Sequence, residues 1–285
     1  MKRNIIILSN RGFIGSYIYA DLIKKNKYDI IGLNSKNCDL LNYNNTKKTF
    51  SKFCNKKITI IFLSTYGRIP ADDFSVYEKN IAMINNFIKS VKHINVEQVI
   101  FFSSTCLYGR PPISIPINES KISLQNGYYG MSKYFSEELL KLSFNCPLCI
   151  IRVPGVYGVN DNNKSVISSF INQIFYNKKI NLYDGGEVLR DYVYVNDIVK
   201  IIKICIDKKI SDTFNFSTGK SYKIKEIINI IQKKFNKKAQ LTNIKTNHIQ
   251  FDLKFDVRKF NKLFPNFKVT DLKKGINEII KQKYK

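Results

Sequence analysis

Five short runs of β-branched, aliphatic and aromatic residues, at 4–8, 29–33, 58–63, 98–103 and 148–153, alternate with stretches whose apolar residues recur at helical spacing. The runs are nearly continuous in apolar character. A strand buried on one face would alternate; a strand covered on both faces does not need to, and that condition is met in a parallel sheet with helices on either side. The intervening segments, 13–25, 46–53, 74–92 and 129–144, predict those helices. Strand and helix in strict alternation imply an α/β fold with a doubly wound parallel sheet of the Rossmann type.

Beyond residue 153 the alternation loosens. A helix is expected at 165–176, a strand at 180–183, an Asp-Gly-Gly turn at 184–186 and an extended segment at 190–195. Helices near 196–206 and 224–235 flank a strand at 213–216, and two more, near 257–263 and 271–281, close the chain. No linker separates the halves. The organisation predicted is a dinucleotide-binding core over 1–155 and a smaller substrate-binding lobe over 156–285, interleaved, with about 190–220 returning to the sheet. Two hundred and eighty-five residues suffice for a full core.

The net charge of +25 raises the question of nucleic acid, but only seven of the 47 basic residues are arginine and the lysines are scattered along the chain. That pattern is a solvated surface, at most a weak attractor of small anions, and not a clustered nucleic-acid footprint. Six cysteines show no disulfide spacing, and two distant histidines, His93 and His248, give a transition metal little to bind, so no metal is expected. No apolar run approaches the roughly 20 residues of a membrane span. A reduced, cytoplasmic protein without a membrane partner is the expectation.

The first strand-to-helix junction reads Ser9-Asn10-Arg11-Gly12-Phe13-Ile14-Gly15-Ser16. Two glycines three apart at such a junction let backbone amides approach a pyrophosphate and let the helix pack on the strand, with the phosphate at the helix N-terminus. Ser9 stands where a leading glycine is usual. At the end of the second strand an NAD protein places an acid for the ribose hydroxyls. Here Asn34, Ser35 and Lys36 occupy that place, and no acid follows until Asp39. A carboxylate would repel a 2′-phosphate, whereas Ser35, Lys36 and Arg11 would bind it, so NADP is favoured over the alternative, NAD. Asp39 and Leu40 are candidates for the adenine.

In Gly127-Tyr128-Tyr129-Gly130-Met131-Ser132-Lys133, Tyr129 and Lys133 are four apart at a helix start and share one face. A phenol with a pKa of about 10 needs a nearby cation to work as an acid–base group, and Lys133 is placed to lower it while holding a ribose. Tyr128 competes by adjacency but is off the lysine's face. Hydroxyl groups in Phe101-Phe-Ser-Ser-Thr-Cys-Leu-Tyr-Gly109, a strand running into a loop, are suited to bond a substrate oxygen.

Together with Arg152-Val-Pro-Gly-Val-Tyr-Gly158, Leu189-Arg-Asp-Tyr-Val-Tyr-Val-Asn-Asp-Ile198 and Thr213-Phe-Asn-Phe-Ser-Thr-Gly219, these segments resemble the extended short-chain dehydrogenase/reductases, the NAD(P)-dependent epimerases, dehydratases and reductases of sugar nucleotides. The resemblance implies hydride transfer at a sugar carbon, with Ser104, Tyr129 and Lys133 as the triad and Arg190 on the substrate diphosphate. It also implies a homodimer. Thr105-Cys106 replaces the Asp-Glu of the 4,6-dehydratases, which disfavours dehydration, and the missing acid after the second strand disfavours an epimerase that keeps NAD bound. The local likeness is to the GDP-4-keto-6-deoxymannose epimerase/reductase (GDP-fucose synthase) branch, where Cys106 falls on an acid–base cysteine. The histidine that branch needs is absent from 159–175, and Gly155 replaces a substrate-binding asparagine. Ser104, Thr105, Gly155 and Arg190 are thus the substrate contacts implied. The expected reaction is NADPH-dependent reduction of a 4-keto nucleotide-diphosphate sugar. A 4-epimerase or bifunctional enzyme is the alternative, and a non-catalytic NADP sensor or RNA binder a remote one.

Overall fold

The computed structural model of the chain describes residues 2–123, 127–161, 165–247 and 249–284; His248 and Asn126 lie outside them. In chain order the elements begin β1 (Arg3–Leu8), α1 (Phe13–Lys24), β2 (Tyr28–Leu33), α2 (Tyr43–Ser51), β3 (Lys57–Phe62), α3 (Phe74–Val91), β4 (Asn95–Ser104), α4 (Tyr128–Ser143) and β5 (Leu148–Val153). There follow β6 (Gly155–Tyr157), α5 (Val166–Phe175), β7 (Lys179–Tyr183), β8 (Leu189–Arg190), β9 (Tyr192–Tyr194), α6 (Val195–Asp207) and β10 (Asp212–Asn215). The chain ends with β11 (Tyr222–Lys223), α7 (Ile224–Phe235), β12 (Gln240–Ile244), α8 (Arg258–Leu263) and α9 (Leu272–Lys283). Among the described residues no helix is long and apolar enough to cross a membrane.

Two compact units result. The first comprises Met1–Gly109, Ile122–Arg152 and Ile198–Phe214; the second comprises Arg110–Lys121, Val153–Asp197 and Asn215–Lys285.

The first unit is built on a six-stranded sheet in the order β10-β5-β4-β3-β1-β2, with parallel registers joining β1 to β2, β1 to β3 and β3 to β4. The doubly wound fold is therefore as the alternation of segments predicts. Ile5, Ile6 and Ile7 are all fully buried, which is why β1 shows no polar alternation. On one side of the sheet Phe50 of α2, Phe87 of α3, and Phe62 and Phe101 of the strands interlock in one core cluster, with ring centroids 5.1–5.8 Å apart. The second helix starts earlier than its apolar spacing suggests, because the Asn42 side chain accepts from the Asn45 amide and caps it.

The chain runs from β1 to β2 on one side, then crosses back past β1 to β3 on the other. At such a reversal the loops leaving the carboxyl ends of the strands diverge and leave a crevice, the place where open α/β sheets bind ligands.

Among its described residues the second unit has three two-stranded pairings, β11 with β8, β12 with β7 and β6 with β9. The Gln240–Ile244 strand, absent from the sequence expectation, is polar and mostly exposed, and only its parallel register with β7 reveals it. Phe216, Phe260, Phe264 and Phe267 form an aromatic core, with Phe260 at 5.2–5.6 Å from each of the other three.

Candidate active site

The loop after β1 is held against the end of β2: the amides of Ser9 and Asn10 both donate to the Leu33 carbonyl, at 2.7 and 3.1 Å. Ser9 adopts φ +73°, a left-handed conformation that L residues other than glycine reach at a cost of roughly 1 kcal/mol. The usual leading glycine is thus replaced in sequence but not in backbone shape. Ser9→Gly is expected to raise stability by up to about 1 kcal/mol in urea unfolding, since the strain is relieved while only part of the gain is lost to backbone entropy. An equal loss of stability would show that the serine hydroxyl matters more than the strain.

Gly15 makes the closest approach of the loop. A Cβ there would overlap the Ser9 carbonyl, so the helix can lie on the strand only with no side chain at this position. Helix α1 starts at Gly12 with no side-chain cap and no acidic residue in its first turn. Its leading amides are left for an anion, and the loop around them fits a pyrophosphate. Phe13 and Ile14, half-buried, form the first turn itself. Arg11, Ser35 and Lys36 are exposed, and the side chains of Arg11 and Lys36 pair with no described residue. Two exposed cations on the two loops that meet at the end of β2 suit a phosphate ester. Asp39 accepts from the Leu41 amide at 3.0 Å, and the side chain of Leu40 is packed in the core, so Leu40 can offer a ligand only its backbone.

Strand β4 ends at Ser104, which caps a short 3-10 turn, Thr105–Tyr108, by accepting from the Cys106 amide at 3.1 Å. Thr105 is buried in the first position of that turn and Cys106 is half-buried. Tyr129 lies in the first turn of α4, with the hydroxyls of Ser104 and Thr65 beside its phenol. Lys133, one turn on, is buried; its Nζ donates to the Phe102 carbonyl at 2.8 Å and stands 5.9 Å from the Tyr129 ring centre. Tyr128 points elsewhere, exposed and packed edge-on against Phe74.

The electrostatics differ in one respect from expectation. Burial pushes the Tyr129 phenol well above its ordinary value, aided by the Cys106 sulfur; the Ser104 and Thr65 hydroxyls and the Arg68 charge pull against this. The predicted depression by Lys133 is not found, because Lys133 is directed at the Phe102 carbonyl and burial pulls its own ammonium down to about 7, against the raising effects of Glu137 and Cys106. Tyr129 is therefore held in its protonated form.

Three residues beside this group escaped the sequence. Thr65 follows β3. Asn80 of α3 is buried: its Oδ1 accepts from the Tyr66 amide at 2.8 Å, and its Nδ2 donates to the Ser132 hydroxyl at 3.0 Å. Asp72 accepts from the Tyr129 amide at 2.8 Å and so caps the helix that carries the tyrosine. Only the position of Thr65 at a strand's carboxyl end could have marked it; the other two act on partners 52 and 57 residues away.

In the second unit Arg190, Tyr192, Tyr183, Ser165, Ser169 and Gln250 line part of a cavity of about 690 Å³. Arg190 donates to the carbonyls of Leu189 and Phe251 at 2.8 and 2.6 Å and lies over the Phe251 ring. At Gly155 the ring of Tyr192 fills the space a side chain would need. The glycine is thus explained by packing.

The chain is 27% identical over 299 residues to a protein of Methanocaldococcus jannaschii named "Putative UDP-glucose 4-epimerase", with 97% of each covered. In fold it matches the UDP-glucose 4-epimerase of Thermus thermophilus in complex with NAD at a TM-score of 0.86 and 17% identity, over 98% of each chain. It also matches a GDP-mannoheptose C4 reductase from Campylobacter jejuni with NADP bound, at a TM-score of 0.83 and 17% identity, over 98% of each. The model of the NAD dependent epimerase/dehydratase family matches residues 5–217, which takes in the strand-to-helix loop, the Ser104–Tyr129–Lys133 group and Arg190. The chain belongs to the NAD dependent epimerase/dehydratase family.

Proposed function

We propose that the protein is a cytoplasmic NADPH-dependent reductase of a 4-keto (6-deoxy) sugar carried on a nucleoside diphosphate, working in the supply of surface-polysaccharide precursors. The observation that carries this reading is the pair of exposed cations, Arg11 and Lys36, without a partner among the described residues, with Ser35 and no carboxylate where a 2′-hydroxyl reader would stand. A consumed cofactor that leaves after each turnover is what a reductase uses. When bound, the reduced dinucleotide supplies the hydride. Tyr129 gives its proton to the carbonyl oxygen of the sugar, Ser104 donates a hydrogen bond to the same oxygen, and Lys133 turns from the Phe102 carbonyl to the ribose hydroxyls. Cys106, on the turn that Ser104 caps, packs near the sugar. Arg190 and the cavity around it take the diphosphate.

Arg11→Ala is expected to weaken NADPH about tenfold and NADH hardly at all, the loss of one charge-assisted hydrogen bond. Titrating both cofactors against both proteins checks this; equal weakening of the two would remove the argument for NADP. Turnover is tested by following NADPH oxidation with a panel of 4-keto-6-deoxy nucleotide sugars. The second reading is 4-epimerisation, favoured by the likeness, across nearly the whole chain, to the Methanocaldococcus jannaschii protein named "Putative UDP-glucose 4-epimerase". Interconversion of hydroxyl sugars without added cofactor would establish it in place of the reductase.

Pairing with a second copy of the chain is supported by aromatic side chains that α3 and α4 present together. Phe74 and Tyr128 are exposed, and Phe74 stacks on Tyr77, whose edge meets Phe135.

A further inference from the structure

Behind the site lies a charged pair that the chemistry above does not use. Glu137 of α4 is fully inaccessible and Arg152 of β5 is 2% exposed. Arg152 donates from Nε and Nη2 to the two carboxylate oxygens of Glu137, at 2.9 and 2.6 Å, and from Nη1 to the Tyr108 hydroxyl at 3.0 Å. The Ser103 hydroxyl donates to Glu137 as well.

A buried ion pair is a poor way to gain stability, since the desolvation of two charges offsets most of their attraction. The partners of this one are informative. Tyr129, Lys133 and Glu137 follow each other at four-residue intervals on α4, so they share a face. Lys133 and Glu137 bond consecutive residues of β4, Lys133 the Phe102 carbonyl and Glu137 the Ser103 hydroxyl, and the Tyr129 phenol lies beside the next residue, Ser104. Arg152 then ties Glu137 to Tyr108, the last residue of the turn that Ser104 caps. The pair thus fastens the end of β4, the following turn, α4 and β5 to one another beside the two residues that meet the ligands.

We propose that Glu137 and Arg152 are positioning residues of the active site: their buried pair sets the register of α4 on the end of β4, which holds Ser104 beside Tyr129 and Lys133 beside the Glu137 carboxylate. This rests on the reading of Lys133 as a dinucleotide ligand and not on the direction of the sugar chemistry. The groups that face Lys133 are Tyr129 and Glu137 on its own helix, Cys106 on the turn and, behind Glu137, Arg152. Burial favours neutral Lys133 and the carboxylate opposes it. Removing the carboxylate charge alone must therefore lower the pH at which Lys133 loses its proton. Removing both charges must lower it less, because the arginine's repulsion goes too.

The test compares the wild type with Glu137→Gln and with the double variant Glu137→Gln/Arg152→Met. Lys133 is titrated in the free protein by the NMR shift of its ¹³C-labelled ε-carbon, assigned with Lys133→Met. Thermal unfolding and the affinity for NADPH are measured alongside. The midpoint is expected near 7 in the wild type. It should lie about one unit or more lower in Glu137→Gln, with the double variant between. NADPH affinity near neutral pH should fall in the same order, about tenfold for the single variant. If Glu137→Gln does not fold, because it leaves Arg152 buried and unpaired, the double variant carries the test, as its apolar replacement restores stability. A double variant that matches the wild type in midpoint and NADPH affinity would show the pair to be scaffolding only. A wild type that binds no dinucleotide at all would sink the reading beneath it, while the Lys133 titration would still report on the pair.

Discussion

Tyr129→Phe lowers turnover by about 10²–10⁴-fold while NADPH affinity and the folded state stay close to the wild type. The range is that of removing one well-placed general acid. The neighbours of the phenol are the neutral Ser104 and Thr65 hydroxyls, so its loss leaves no buried charge behind and the ring keeps its packing. Because burial raises the phenol far above neutrality, the wild-type group stays protonated throughout the pH range of assay. Any activity lost on moving from pH 6 to pH 8 must then be traced to another group, and Lys133, beside Tyr129 and lowered to about 7, is the candidate within this group of residues. Single-turnover hydride transfer, measured with the dinucleotide saturating, separates the outcomes. Retention of the wild-type rate in Tyr129→Phe would remove Tyr129 from the chemistry and revive a non-catalytic reading of the fold, as a sensor of the dinucleotide or an RNA binder.

Gly15→Val abolishes dinucleotide binding and costs about 1–3 kcal/mol of stability, the usual range for side chains forced into filled space. The obstacle is backbone: a Cβ at this position would overlap the Ser9 carbonyl, which cannot swing aside as a side-chain tip can. The Ser9 and Asn10 amides are pinned to the Leu33 carbonyl, so relief of the clash must either lift α1 off the sheet or break those bonds. Either change withdraws the first-turn amides from a phosphate. Calorimetry with NADPH and a thermal melt together check this, and a variant that still binds with wild-type affinity would show that the loop is not the phosphate cradle.

Much of the first unit is legible in the sequence because its information is local. Strand runs buried on both faces need no partner to be recognised, and Gly12, Gly15, Tyr129 and Lys133 sit at spacings that carry meaning within one element. What escapes is set by distance. Asn80 reads as one more polar residue on an amphipathic helix, and nothing near it in sequence points to Ser132 or to the loop at Tyr66. Glu137 and Arg152, on an outwardly ordinary helix and strand, become a pair only when β5 lies beside β4. The depression expected at Tyr129 failed for a similar reason: four-residue spacing places Lys133 on the right face but does not say that the Phe102 carbonyl claims its ammonium group. The Gln240–Ile244 strand has too little apolar character to be seen without β7. Gly155 could be noticed as a departure from its family, while its cause, the Tyr192 ring, is a fact of packing.

The sixth strand of the sheet has a consequence for the making of the molecule. When translation has delivered residue 153, five strands are available, yet β5 has no neighbour on its outer side until Asp212–Asn215 arrives. For the time it takes to synthesise some sixty further residues, the nascent sheet presents an apolar strand, Leu148–Val153, with an open row of backbone donors and acceptors, a template for unwanted pairing. The chain must cross the whole of β6 to α6 before it can close that row. A gene cut after residue 153, which by its motifs encodes a whole nucleotide-binding half, is therefore expected to yield inclusion bodies, whereas one that splices 198–217 back onto it should yield soluble protein.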